Sequence, residues 1–247
     1  MGINNVYGVI SVITVVYNDV TNIEKTILSV LNQTYKKIQY IVIDGGSDDG
    51  TVDVINKYID RINYFITEKD NGIYDAMNKG LLKATGDWVN FMNSGDVFAS
   101  TDVLSNIFYN KTYLGVDVIY GNSIEIKNNE RILKKSSSNP DLLLKYPIYR
   151  HGASFVNADI HKNNLFPLEL KKIGFGLDYY IIHKLKVENK VFKKVEEIIM
   201  EYQFEGTSNH PYKAALYVFR TTFKQKPFYA FIKLLGVWTK HFFKLYK

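Results

Sequence analysis

Four clusters of acidic, amide and glycine residues come in a fixed order within the first hundred positions. Val9 to Val16 leads into Tyr17-Asn18-Asp19, and Ile38 to Ile43 leads into Asp44-Gly45-Gly46-Ser47-Asp48-Asp49-Gly50-Thr51. Glu68-Lys69-Asp70-Asn71-Gly72 comes next, and Trp88 to Met92 then leads into Asn93-Ser94-Gly95-Asp96. Carboxylates and glycines in these places suit ligand binding, because an open α/β sheet binds ligands in the crevice beyond the carboxyl ends of its strands. Acidic groups there would repel a nucleotide diphosphate unless a cation lay between them. The pattern therefore implies a divalent metal with oxygen ligands.

The elements that must hold these clusters alternate between strand and helix. Val9–Tyr17 reads as a buried strand, apolar on both faces and rich in β-branched residues. Thr21 and Glu24 read as a capping box for a helix running to about Gln33. Ile38–Ile43, Ile62–Thr67 and Trp88–Met92 read as further strands. Thr51–Ile59 and Ile73 to about Thr85 read as helices, the latter with Ala76, Gly80 and Ala84 on one face. Such βαβ repetition predicts a parallel sheet covered on both sides. After Asp96 the signature weakens. Val103–Tyr109 reads as a helix, Val116–Asn122 and Ser123–Leu133 as two strands, and Lys134 to Pro140 as a mobile Ser/Asn-rich loop. Leu142 to about Glu205 mixes short strands and helices.

A chain of 247 residues, 46% hydrophobic and 23% charged, can bury a full core and has the composition of a soluble globular protein. Its net charge of +6 sits in one place: Lys224 to Lys247 holds six lysines and no acidic residue. Nucleic acid is therefore not the expected partner. The absence of cysteine excludes a disulfide framework and suits a reducing compartment. Met1 to Tyr7 has no signal-peptide character, and no apolar run approaches the roughly 18 residues of a membrane span. A cytoplasmic location is the expectation.

The ordered clusters across residues 9 to 98 resemble glycosyltransferase family 2, whose members use sugar nucleotides and share the GT-A fold. The stretch Asp70-Asn71-Gly72-Ile73-Tyr74-Asp75-Ala76-Met77-Asn78-Lys79-Gly80 is most similar to bacterial enzymes that build O-antigen, capsule and colanic-acid-like polysaccharides, lipopolysaccharide included. The resemblance implies a GT-A domain over 1–223, with a nucleotide-sugar half (1–98) and an acceptor half (99–223), followed by a C-terminal helix. It implies inverting transfer from a nucleotide sugar, UDP-hexose by default, to a hydroxyl of an undecaprenyl-diphosphate-linked or oligosaccharide acceptor, with Mn²⁺ or Mg²⁺.

The resemblance also assigns roles. Asp44 matches the aspartate that contacts the nucleoside base, with Gly45 allowing close approach and Tyr17 and Asn18 lining the same pocket. Asp70 and Asn78 match donor-side positions. Asp96 matches the metal–diphosphate residue, although Ser94 stands where an Asp-x-Asp pair would have its first carboxylate, so Asn93 would serve the ribose. Asp178, in Gly174-Phe175-Gly176-Leu177-Asp178-Tyr179, matches the general base. Arg150 and His151 are candidates for acceptor or diphosphate contact, and His210, in the Gly206–His210 loop, for a further metal ligand. Each has a structural alternative: turn or cap for Asp44, Asp70, Asn78, Asp96 and Asp178, and a hydrogen-bonded core residue for His151.

Placed at about 100° per residue, Phe228, Phe231, Ile232, Leu235, Trp238, Phe242 and Leu245 fall on one side of a helix, with Lys226, Lys233, Lys240, Lys244 and Lys247 opposite. That layout suits a helix lying in an anionic membrane surface, the inner face of the plasma membrane. Packing on the domain or in a homodimer is the alternative. Two other functions compete with glycosyl transfer. A sugar nucleotidyltransferase would need a Gly-rich basic loop where Tyr17-Asn18-Asp19-Val20 stands, and a non-catalytic sugar-binding protein would not need Asp44, Asp96 and Asp178.

Overall fold

Strand β1 (Ile10–Val16) is buried along its whole length, and its alternating side chains feed two separate cores. Ile10, Val12 and Val16 enter one layer with Ile23, Ile27 and Val30 of α1 (Ile23–Leu31). Ile13 and Val15 enter the opposite layer with Ala76, Met77 and Leu81 of α3 (Ile73–Lys83). Strand β2 (Ile38–Asp44) alternates likewise, Tyr40 and Val42 on the first side and Ile41 and Ile43 on the second. The period-2 pleat thus dictates a helix–sheet–helix sandwich. Gly80 sets the fit of α3 on the sheet: a Cβ there would lie 2.5 Å from Ile13 Cγ2.

The computed structural model describes residues 8–173, 176–204, 219–221 and 223–224. β1, β2, β3 (Tyr64–Thr67) and β4 (Trp88–Phe91) pair in parallel, as the βαβ pattern predicts, and their order is β3-β2-β1-β4. Beyond β4 the sheet becomes mixed, continuing through β8 (Ser154–Asn157), β6 (Val118–Lys127), β9 (Phe192–Gln203) and β5 (Val97–Phe98), with β7 (Glu130–Lys134) paired to β6. α2 (Thr51–Asn56) and α4 (Val103–Phe108) cover the first layer, α6 (Leu177–Val187) the second, and α5 (Ala158–Lys162) follows β8.

Three local expectations are corrected. Helix α1 has no Thr21/Glu24 capping box. Its N-cap is Asn22, the Asn22 and Ile23 N–H groups donate to the Asp19 carbonyl, and Glu24 accepts from the Tyr58 hydroxyl. The strand break expected at Asn122/Ser123 is a register slip within one ten-residue strand, β6. There the Asn122 amide donates to the Glu196 carbonyl and accepts from Ser136 N–H. The true turn is Asn128-Asn129, whose positive φ values of 51° and 64° suit a two-residue hairpin. The same Ser136 contact pins the segment expected to be mobile, and a 3₁₀ turn over Pro140–Leu144 follows.

Candidate active site

The direction of strand addition reverses between β1 and β4: β2 and β3 extend the sheet on one side of β1, and β4 lies on the other. A crevice opens beyond the carboxyl ends at such a switch point. Tyr17–Asp19 and Asn93–Asp96 therefore flank one cleft, with the loop after β2 beside them. A Cβ on Gly45 would lie 2.6 Å from Asp70 Oδ2 and 3.3 Å from the Tyr17 ring, so glycine here lets three loops converge. The Tyr17 side chain is 64% exposed at this junction, an open aromatic face beside a carboxylate.

Much of the polar character of these loops is turned inward. Asp44 is fully buried; its Oδ2 accepts from Gly46 N–H (3.0 Å), Ser47 N–H (2.9 Å) and the Thr67 hydroxyl (2.6 Å), and its Oδ1 accepts from Ser47 Oγ. Asn18, at φ 47°, exchanges two 3.0 Å hydrogen bonds with Asp48: its amide donates to the carboxylate and accepts from the backbone N–H. Asp49 accepts from Val20 and Thr51, and these bonds hold its carboxyl below the usual range. Asp70 accepts from Gly72 N–H. Asn78 clamps the Phe166 backbone through two 2.9 Å bonds. Asp44, Asn18 and Asn78 thus hydrogen-bond within the protein, a role that the sequence had left as an alternative for Asp44 and Asn78 but not for Asn18, while Tyr17, Gly45 and Asp70 meet at one junction of the loops.

The Asn93–Asp96 turn is different. Asp96 N–H donates to the Asn93 carbonyl, and β5 rather than a helix follows, which removes the N-cap alternative. Burial pushes the Asp96 carboxyl up to about 7, against the partial opposition of the Arg150 and Lys25 charges. The Asn93 side-chain oxygen is buried without a hydrogen-bond partner. Ser94 donates to Asp19 Oδ2 at 2.7 Å, so a carboxylate from the β1 end stands next to the position where the Asp-x-Asp pattern lacks one. An under-compensated carboxyl and an unpaired amide oxygen fit a hard cation that takes oxygen ligands. Among the described residues, no group of three or more His, Asp or Glu is placed to hold a metal by itself.

Asp178 lies in the first turn of α6, 82 positions beyond Asp96, yet Arg150 acts electrostatically on both carboxyls. Burial raises the Asp178 pKa, opposed by hydrogen bonds from Tyr179 N–H and the Tyr74 hydroxyl and by the Arg150 charge. Tyr74 donates to Asp178 Oδ1 (3.3 Å) and accepts from Leu177 N–H (3.1 Å), which fixes the start of α6 against α3. Arg150 is carried on a corner held to β4, where buried Asn90 donates to the Gly152 and Ser154 carbonyls at 2.8 and 2.9 Å. His151 stacks on Phe91 at 5.2 Å among His161 and Phe166, and burial pulls it down to about 4. It is neutral at pH 7 and supplies no cation.

Sequence reasoning missed Tyr74, Asp19 as the partner of Ser94, and Glu125. The hydroxyl of Tyr74 meets Asp178 only through tertiary packing, and Glu125 looked like one more polar residue in an alternating strand. His210 and the 226–247 segment lie outside the described residues.

The sequence model described as Glycosyl transferase family 2 matches residues 11–171. An uncharacterized glycosyltransferase of Mycobacterium tuberculosis is 41% identical over 97 residues, which is 39% of this chain and 37% of that protein. Among solved structures, the 1–349 fragment of S. aureus TarS in complex with UDP superposes with a TM-score of 0.66 at 18% identity, over 87% of this chain and 64% of that one. The mannosyltransferase PcManGT from Pyrobaculum calidifontis, in complex with GDP-Man and Mn²⁺, gives 0.67 at 16% identity, over 89% and 66%. At these identities the superpositions establish the fold, and it is that of GT-A enzymes.

Proposed function

Because this chain belongs to glycosyltransferase family 2, we propose that it transfers a sugar from a nucleotide-diphosphate sugar to an acceptor hydroxyl, with inversion at the anomeric carbon. One observation carries the reading: Asp96, after β4, and Asp178, in the first turn of α6, both come under the charge of a single guanidinium, Arg150. A donor-side acid and an acceptor-side base then face one reaction centre.

In this mechanism the exposed Tyr17 ring and Asp70 receive the nucleoside, and the buried Asp44 keeps the loop beneath it in shape. Asp178 accepts the proton of the acceptor hydroxyl as its oxygen bonds to the anomeric carbon, from the face opposite the departing diphosphate. Burial that raises the Asp178 pKa strengthens it as a base, and the Tyr74 hydroxyl orients it. When bound, Mn²⁺ or Mg²⁺ neutralises diphosphate charge; Asp96 and the Asn93 side-chain oxygen are the groups that would hold it. UDP-hexose is the proposed donor, supported by the UDP seen in TarS, with GDP-sugars left open by the GDP-Man complex of PcManGT.

The proposed acceptor is a lipid-linked or oligosaccharide intermediate of surface-polysaccharide synthesis, met at the membrane through the basic amphipathic 226–247 segment. Among the described residues no helix is long and apolar enough to cross a membrane. A panel of UDP-, GDP- and dTDP-sugars with Mn²⁺ tests the reaction: one donor should bind and be slowly hydrolysed without acceptor. Absence of binding and hydrolysis with every donor would overturn the proposal.

A further inference from the structure

A cleft of about 300 Å³ opens between the β6–β7 hairpin and the Pro147–Arg150 segment. Glu125, Lys134, Lys135, Tyr149, Arg150 and Tyr202 line it. Glu125 is almost fully buried at its floor and accepts from Lys134 Nζ at 2.8 Å and from the Tyr202 hydroxyl at 2.9 Å, with Arg150 3.7 Å away. These partners, Lys134 first, outweigh the burial that opposes charge and hold its carboxyl below the usual range. It therefore stays ionised and fixes two cations around the cleft.

We propose that this cleft is an acceptor subsite for an anionic group, a phosphate or a carboxylate, borne on the acceptor sugar. The inference rests on the glycosyl-transfer reading and names a property of its acceptor.

Charge and geometry together select an anion. Lys134, Lys135 and Arg150 face one carboxylate, Glu125, within the cleft. The neighbouring Glu196, which acts on Lys135, has its own ion pair with Lys194 at 2.9 Å. Within the lining, three cations thus face one carboxylate. A neutral saccharide would instead call for an open aromatic face. Both tyrosine rings are buried, with one face of each already occupied: Arg150 lies over the Tyr202 ring at 4.3 Å, and Tyr149 stacks on Tyr120 at 4.6 Å. Arg150 also acts on Asp96 and Asp178, so an anion held here keeps the rest of the acceptor beside the proposed base. Planar guanidinium forks and lysine ammoniums both recognise phosphate and carboxylate oxygens.

The test uses the full chain in EDTA, which removes cation-bridged binding, with glucose 1-phosphate, glucuronate and glucose as probes. Backbone amide shifts are followed by NMR. Glucose 1-phosphate or glucuronate should shift Ser123, Lys135, Arg150 and Tyr202 saturably, the stronger of the two identifying the anion, while glucose should not. The K134Q/K135Q double variant should weaken that binding about tenfold or more, and K135Q alone by less, as expected for lost charge-assisted hydrogen bonds. K135Q replaces an exposed side chain and leaves the Lys134–Glu125 pair intact, so it spares folding; the double variant removes a partner of buried Glu125, and its urea midpoint is measured beside the titration.

Equal shifts with glucose, shifts confined to the Tyr17, Gly45 and Asp70 loops, or unchanged affinity in both variants would overturn the subsite. Binding of UDP, GDP and dTDP with Mn²⁺ is measured in parallel. Its persistence beside a failed anion titration would reject the subsite alone, whereas absence of binding by UDP, GDP and dTDP alike would reject the glycosyl-transfer reading.

Discussion

In the parallel half of the sheet, β1 to β4, most polar side chains beyond the strands bond within or across their own loops. In the mixed half, built on β6 and β9, charged side chains surround an open cleft and bond to one another. Asp44, Asn18, Asp48 and Asp49 show the first arrangement. Glu125, Lys134, Arg150 and Tyr202 show the second. A ligand whose chemistry is fixed can be met by rigid loops with few open groups, here the exposed Tyr17 ring and the half-buried Asp70. The cleft of the mixed half instead offers net charge, which selects by the class of the ligand. Between the halves lies Arg150, acting on an acid from each.

The largest effect should come at the border of the two halves. Asp96→Ala should reduce transfer to background in a radiolabelled-donor assay, and EDTA should do the same to the unaltered protein. Full activity in EDTA would remove the cation from the account of the donor side.

Asp178→Asn keeps the side-chain volume and removes the base. Turnover should fall by about 10²-fold or more while donor affinity persists. Near-normal turnover would place the base elsewhere and dissolve the link between the halves.

Asp44→Ala strips four donors of their common acceptor. It should destabilise the protein by about 2–3 kcal/mol in urea unfolding, whereas Lys135→Gln, at the exposed rim of the other cleft, should leave the urea midpoint nearly unchanged. A silent Asp44→Ala would show that the parallel half does not depend on its internal bonds.

The next effect is one of pH. The Asp96 carboxyl is raised from its ordinary 3.8 to about 7. In metal-free protein the stability from its protonated form is complete below about pH 4 and is lost as pH rises through about 7. Urea midpoints at pH 5 and pH 8 should therefore differ more in the unaltered protein than in Asp96→Asn. An equal difference in the two would show that Asp96 is not the titrating group.

The smallest expected change is a shift in a pH–rate profile. The Tyr74 hydroxyl lowers the Asp178 pKa, so Tyr74→Phe should raise it and move the acidic limb of turnover to higher pH. An unmoved limb would mean that Tyr74 serves only to anchor α6 through Leu177.

The four parallel strands β1 to β4 were legible because they are hydrophobic runs cut by glycine and acidic residues, a local signal; their order was not. The family, too, was legible from those clusters in sequence. β6 was read as two strands because Asn122 breaks its pattern, and the break is real: the register against β9 slips there without ending the strand. The capping box failed because Asp19, outside the Thr21–Glu24 window, took over the helix start through its carbonyl.

Among the site residues, the sequence by itself determined which acids stand at strand ends, since that depends only on neighbours along the chain. It also determined that glycine must follow Asp44. Tertiary structure alone decided which of those polar groups face the cleft: Asp44 and Asn78 are consumed by Thr67 and Phe166, partners 23 and 88 positions away. It decided equally that the charge of Arg150 acts on both Asp96 and Asp178, and that Glu125, on a buried face of an ordinary alternating strand, gathers Lys134 and Tyr202 around it. The physical reason is common to all of these. Whether a polar side chain is available to a ligand depends on which distant donors and charges folding brings within hydrogen-bonding or electrostatic reach, and local spacing does not encode that.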